Sequence, residues 1–168
     1  MRERVQTMDN NPFWTYSCDV YRLDGVAQHC LALQDDHGVD VNVLLYGAWL
    51  GSTGMQLNPA HLRQLEFLVA PWRSSVVQPL RRLRRRLEAQ PEVYADLKTL
   101  ELTAEHQQQN MMYRFFVENP PQIAEQALPD NLALVVGFTD ESTRRWNQRV
   151  ADLSQLLIPA GVASRQGR

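Results

Sequence analysis

Between Leu33 and Gly54 the chain reads LQDDHGVDVNVLLYGAWLGSTG, where a polar, acidic turn runs straight into a nearly unbroken apolar segment. A helix drawn through Val41 to Leu50 has almost no polar face, and a helix that is apolar all round must be buried. This segment is therefore expected near the centre of a domain. The acidic turn before it becomes either a buried hinge or the polar mouth of a pocket.

The rest of the chain can be organised around that helix. At 168 residues it suits a single domain, long enough to bury a sizeable core without disulfides. Hydrophobic residues at 44% and charged residues at 21% are ordinary for a globular fold and argue against wholesale disorder. Only residues 1–10 and 159–168 read as flexible ends, leaving 11–158 as a helical domain. The formal net charge of -2 gives no global attraction to nucleic acid or anionic membrane. Cys18 and Cys30 are too few for a disulfide framework and suit a reducing cytoplasm. No secretory apolar region follows the amino terminus, and the longest apolar run, about ten residues, is half of a membrane span. A cytoplasmic protein with no membrane partner is the expectation.

Helix punctuation is frequent. Asn11-Pro12 predicts a helix from Pro12 to Tyr21, because Asn can accept from an unpaired backbone N–H while Pro needs no donor in the first turn. Asp24 is placed to cap a second helix, Val26 to His37, which Gly38 stops. Asp40 is placed to cap Val41 to Leu50, and Gly51 to Gly54 reads as a flexible connection. Asn58-Pro59 opens a fourth helix to about Ala70. Pro71 and Trp72 then mark a break, and Val76, Leu80, Leu83 and Leu87 form an apolar stripe with a start or kink at Pro79.

A long helix from about Glu92 to Glu118 follows, ended by Asn119, Pro120 and Pro121. A short helix is expected from Gln122 to Ala127, and LALVVGF from Leu132 is read as helical, since a lone strand would lack a partner. Thr139 or Asp140 is placed to cap a last helix carrying Trp146, Val150, Leu153 and Leu157, which Pro159 and Gly161 should end. The expected architecture is all-α, an irregular bundle of about six or seven helices with its aromatic residues in the core.

NPFWTYSCDVY from Asn11, the segment Leu31 to Gly51, and more weakly WRSSVVQPLRRLRRRL from Trp72 resemble a family of small proteobacterial proteins, a domain of unknown function. The resemblance implies bacterial origin and a helical fold over the first half of the chain. It transfers no catalytic residue.

Two clusters carry chemistry. Asp35, Asp36, His37, Asp40 and Asn42 are residue types suited to a hard divalent ion or to acid-base work. Gly38 separates Asp36 from Asp40, so the two straddle a turn, and a helix end with a cap accounts for them without a ligand. Arg81, Arg82, Arg84, Arg85 and Arg86, with Arg73, define a basic helix. Its leucines should face the core and its arginines the solvent, where they could meet an acidic protein, RNA or phosphate, or pair with Glu88, Glu92 or Asp96.

Other motifs are weaker. Val43, Leu44, Leu45 and Trp49 need burial, so the Val41 helix cannot read base edges. His29 and Cys30 point about 100° apart on a helix, and Cys30 reads as a small buried residue. No CxxC, HExxH or Glu-x-x-His pattern and no nucleophile elbow occurs, so no metal, cofactor or catalytic residue is assigned. Glu101 and Glu105, one turn apart, are expected to face solvent. The reading taken first is a non-enzymatic interaction or regulatory module that binds an acidic protein through the arginine face. The alternatives are a small-ligand or metal-dependent enzyme at Asp36, His37, Asp40 and Asn42, and nucleic-acid binding through the arginines.

Overall fold

A computed structural model describes residues 11–125, 127–139 and 146–165, and within them the fold is all-α apart from one two-residue ladder. The elements are α1 (Pro12–Tyr21), α2 (Val26–His37), α3 (Val41–Ser52), β1 (Met55–Gln56), α4 (Pro59–Trp72), a π-helical turn (Arg73–Val77), α5 (Gln78–Arg86), α6 (Pro91–Glu118), β2 (Gln122–Ile123), α7 (Ala127–Thr139) and α8 (Trp146–Arg165). Because α4, the π turn and α5 run on as one rod, the described residues form seven helices, as the apolar periodicity implies.

Side-chain caps start three of them. Asn11 accepts from the N–H groups of Phe13 and Trp14, Asp40 from those of Asn42 and Val43, and Asn58 from that of His61. Gly38 ends α2 in the left-handed region, at φ 68°, as its position predicts. Asp24 does not cap α2. Gly25 holds that position at φ 88° with no side-chain bond, because the tight turn out of α1 needs a left-handed residue there.

Helix α3 is the axis of the fold. Every residue from Asn42 to Ser52 is buried, and α1, α2, α6, α7 and α8 all pack against it. Phe13, Tyr46 and Trp49 form an aromatic centre, Phe13 edge-on to Tyr46 at 5.5 Å and stacked on Trp49 at 5.4 Å. Trp14 and Trp72 are only half-buried, and the Trp146 side chain lies outside the described residues. Gly51 belongs to the helix and not to a flexible connection. It sits against the Leu128 backbone of α7, a contact that only a residue without a side chain allows.

The expected break at Pro71 and Trp72 is absent. Pro71 costs one bond to the carbonyl of Phe67, on the solvent side of α4, and the wide π turn after it absorbs the misfit. The Trp72 indole N–H, donating to the Ala104 carbonyl at 2.9 Å, fixes the rod to α6.

The expected helix over Gln122 to Ala127 is also absent. Pro120 and Pro121 favour extended backbone, and Gln122–Ile123 pairs antiparallel with Met55–Gln56, Met55 opposite Ile123. Buried Asn131 closes this corner: its amide donates to the carbonyls of Gly47 and Met55, and its oxygen accepts from Leu57 N–H.

LALVVGF is helical within α7. Thr139 is the last residue of α7 and no cap of α8, and Asp140 lies outside the described residues. Helix α8 continues past Pro159 and Gly161 to Arg165, since a single proline removes one backbone bond without forcing the helix to end. No helix among the described residues is long and apolar enough to cross a membrane.

Candidate functional site

The largest surprise lies in α5. Its leucines were expected inward and its arginines outward, yet no residue of α5 is buried and Leu83 is 45% exposed. Arg81 and Arg84 instead turn toward α6, where Glu101 and Glu105 wait. Arg81 donates through Nε to Glu101 at 2.9 Å, through Nη2 to Glu105 at 2.6 Å, and through Nη1 to Gln34 of α2 at 2.7 Å. Arg84 donates through Nε to Glu101 and through Nη1 to the Tyr94 hydroxyl at 3.2 Å. Glu101 is therefore buried and Glu105 half-buried, against the expectation that both face water. Paired charge on both helices makes it favourable for Arg81 and Arg84 to turn toward α6, while Arg82, Arg85 and Arg86 face solvent and Leu80 stays half-buried.

These side chains wall a cleft of about 1070 Å³ between α1, the α2–α3 junction, the α4–α5 rod and α6. At its inner end Asp40 serves two roles. One carboxylate oxygen caps α3; the other accepts from Arg73 Nη1 at 2.8 Å and from Gln108 Nε2 at 2.7 Å. Arg73 also donates to Glu66 at 2.8 Å, and Gln109 donates to Asn42 at 2.8 Å. Trp14, Ser17, Cys18 and Tyr21 of α1, with Val39, Val41, Leu45 and Val77, supply the less polar wall. The exposed residues at the rim include Arg22, Arg85 and Lys98.

Electrostatics separates the two glutamates. Burial opposes ionisation of Glu101, but its bonds to Arg84 and Arg81 outweigh burial and hold it below the usual carboxylate range. At Glu105 burial is the largest influence, and the nearby charges of Glu101 and Asp40 reinforce it against Arg81, so this carboxyl is pushed up. For Arg73 burial works against the charged form, yet the bonds to Glu66 and Asp40 prevail and raise it further.

The two clusters singled out in the sequence are thus partly merged. Asp40 and Asn42 join Arg73, Arg81 and Arg84 in one cleft, while Asp35 and Asp36 stand outside on exposed turns of α2, near Arg85 at 3.3 Å and Arg149 at 3.9 Å. His37 is half-buried at the end of α2 and does not line the cleft. Arg82 and Arg86 are exposed. Glu88, Glu92 and Asp96 form no ion pair with these arginines among the described residues; the partners come from farther along α6. Among the described residues no group of three or more His, Cys, Asp or Glu is placed to hold a metal ion.

Three groups that sequence reasoning did not assign complete the site. Ser17 Oγ, Gln108 Oε1 and Gln109 Oε1 are buried and have no hydrogen-bond partner among the described residues. Each sits on a residue lining the cleft that is 4%, 0% and 2% exposed respectively. An orphaned polar atom costs about 1–3 kcal/mol, so three around one cleft need an explanation.

Comparison with known proteins adds one decisive match. Residues 12–112 match a protein family described as a protein of unknown function, DUF2390. The chain belongs to that family. Its matched span starts at the first residue of α1 and ends within α6, so every residue lining the cleft, from Trp14 to Gln109, lies inside it. No curated protein and no solved structure matches the chain.

Proposed function

We propose that this DUF2390 member binds a small polar molecule in the cleft between α1, α5 and α6. The supporting observation is a charged network of Arg73, Arg81 and Arg84 with Asp40, Glu66, Glu101 and Glu105 along the wall of one deep cleft, with buried polar side chains of Ser17, Gln108 and Gln109 packed behind it. Ligand pockets typically span about 300–1,000 Å³ and combine apolar walls with a few placed polar groups, which is the character of this cleft. Location of the whole cleft within the family-matched half of the chain supports the same reading.

The protein carries its own reporter. Cys18 lines the cleft and is half-buried, whereas Cys30 is fully buried in the core and burial pushes its thiol up to about 12. A small thiol reagent should therefore label Cys18 first. A compound that occupies the cleft is expected both to slow that labelling and to raise the thermal midpoint. At a hundred times its Kd the gain is about 2.7 kcal/mol, or roughly 5–10 °C for a chain of this size. A broad panel of amino acids, nucleosides, sugars, organic acids and amines in which no compound does both counts against the reading.

A second reading rests on Arg82 and Arg86, which remain exposed beside exposed Leu83 on α5. Basic charge flanking an apolar residue suits an acidic protein surface. Of the six arginines that the sequence offers for this role, Arg73, Arg81, Arg84 and Arg85 are engaged by the chain's own carboxylates, so the surface is narrower than the sequence suggests. Replacing Arg82 and Arg86 by Glu should weaken capture of an acidic partner at least tenfold; unchanged co-purification of every partner would remove the basis for it.

A further inference from the structure

Charge is unevenly distributed along the cleft, whose lining carries six basic side chains against four carboxylates. Arg73 and Arg81 lie toward the inner end, where Asp40, Glu66 and Glu105 pair with them. The other four bases, Arg22, Arg84, Arg85 and Lys98, gather at the outer end, where Glu101 is the one carboxylate of the lining among the described residues.

Three helices bring the four together. Helices α1 and α6 run antiparallel: Asn11 Nδ2 donates to Asn110 at 2.8 Å, and the Trp14 ring stacks on His106 at 4.2 Å. Since both helices rise equally per residue, the same register carries Arg22, just past the end of α1, to the level of Lys98. Arg84 of α5 donates to Tyr94 and to Glu101, which stand four residues before and three after Lys98 on one face of α6. Arg84 and Lys98 are therefore neighbours, and Arg85 follows on α5, where its Nη2 reaches Asp35 at 3.3 Å.

The bases at this mouth keep donors to spare. A guanidinium has five N–H bonds. Arg84 directs two at Glu101 and one at Tyr94, and Arg85 directs one at Asp35. The Arg84 side chain keeps 21% of its surface against 8% for Glu101, so at this end the base and not the acid remains accessible. Lys98 is exposed and has no ion-pair partner among the described residues. Arg22 meets Asp19 at 3.8 Å in a pair open to water on both sides. Exposed pairs such as Arg22–Asp19 and Arg85–Asp35 are weak and screened by salt, so both aspartates yield to an anion held by several donors at once.

We propose that the mouth of the cleft holds a doubly charged oxyanion, a phosphate monoester or a dicarboxylate, between Arg22, Arg84, Arg85 and Lys98. Two negative charges match the excess of two basic groups in the lining. This rests on the reading of the cleft as a ligand site and gives that site a ligand class.

The test compares glycerol 3-phosphate, succinate, acetate, glucose and ethanolamine at equal concentration and constant ionic strength, reading thermal midpoint and Cys18 labelling together. Cys18 lies one helical turn before Arg22, whose charge favours the thiolate, so an anion there both covers the thiol and cancels that help. At least one of the two dianions is expected to raise the midpoint by several degrees and slow labelling at least threefold, and the one that does so identifies phosphate or carboxylate as the group held. Acetate, glucose and ethanolamine should do neither. Lys98→Ala and Arg22→Gln alter exposed side chains, so each should weaken dianion binding at least fivefold with the unliganded midpoint within a few degrees. Arg114→Gln, which neutralises an exposed arginine that does not line the cleft, should leave binding unchanged.

Stabilisation and protection by glucose or ethanolamine but by neither dianion overturns the ligand class and leaves the cleft reading standing. Acetate acting as strongly as succinate overturns the match to two charges. Dianion binding that survives both Lys98→Ala and Arg22→Gln, that falls equally in Arg114→Gln, or that raises the midpoint without slowing Cys18 labelling overturns the assigned mouth. No shift and no protection from any probe counts against both readings.

Discussion

Gly51→Ala is expected to destabilise the fold by about 3 kcal/mol or more, lowering the thermal midpoint by roughly 6–12 °C. A Cβ at Gly51 would lie 2.3 Å from the Leu128 Cα, 2.7 Å from its nitrogen and 2.8 Å from its Cβ. The two nearest atoms belong to the α7 backbone and the Cβ moves only with it, so relief requires the two helices to separate, and α3 is the helix around which the core is built. Two other glycines calibrate the result. At Gly47 the nearest atom is a Val135 methyl at 3.2 Å, which can shift, so Gly47→Ala should cost about 1 kcal/mol. Gly137 in α7 faces open space, and alanine there should stabilise by up to about 1 kcal/mol through helix propensity. Chemical denaturation of the three variants ranks them directly; a cost below 1 kcal/mol at Gly51 would show that α3 and α7 are not held this closely.

Local chemistry explains which parts of this fold could be read in advance. The Asn11, Asp40 and Asn58 caps and the Gly38 terminus depend on groups two to four residues away, and each is found where its residue type implies. Gly51 is not legible as a packing residue, for the opposite reason. A glycine after an apolar run looks like a loop, and only the approach of α7, about eighty residues later, makes it a packing residue. Pro71 and β2 fail in the same manner, because what rescues the proline is a π turn and what orders Gln122–Ile123 is a strand more than sixty residues earlier.

The site shows the same division. Asp40, Asn42 and the arginines were visible as two unrelated clusters, since nothing within a few residues of Arg81 indicates that Glu101, Glu105 and Gln34 will surround it. A hydrophobic stripe normally decides which face of a helix turns inward, yet Arg81 and Arg84 of α5 turn toward α6 and Leu83 is left exposed, because α6 offers Glu101 and Glu105 at the matching height. The available hint was in α6. Its inward stripe runs through Leu97, Ala104 and Met112, and Glu101, Gln108 and Gln109 interrupt it at positions that should be apolar. Polar residues breaking an inward stripe mark either a partner network or a site, and here they mark both.

Asp40 is where fold and site meet, and Asp40→Ala should cost about 3 kcal/mol. The α3 cap is worth about 1 kcal/mol, and it disappears with the carboxylate. The Gln108 amide then loses the acceptor that orients it, in a residue fully excluded from water, at about 1–3 kcal/mol. Arg73 keeps Glu66 and is still partly open to solvent, so its share is smaller than for a sealed ion pair. Asp40→Ser separates the contributions, since serine caps a helix but does not carry the charge that holds Arg73 and Gln108. It should recover about 1 kcal/mol relative to alanine and no more. If serine restores full stability, Asp40 is only a cap; if alanine itself costs less than 1 kcal/mol, neither role is energetically significant. Between those outcomes, a coupling of about 0.5–3 kcal/mol in the double-mutant cycle with Gln108→Ala would establish that the helix start in the acidic turn also positions the floor of the cleft.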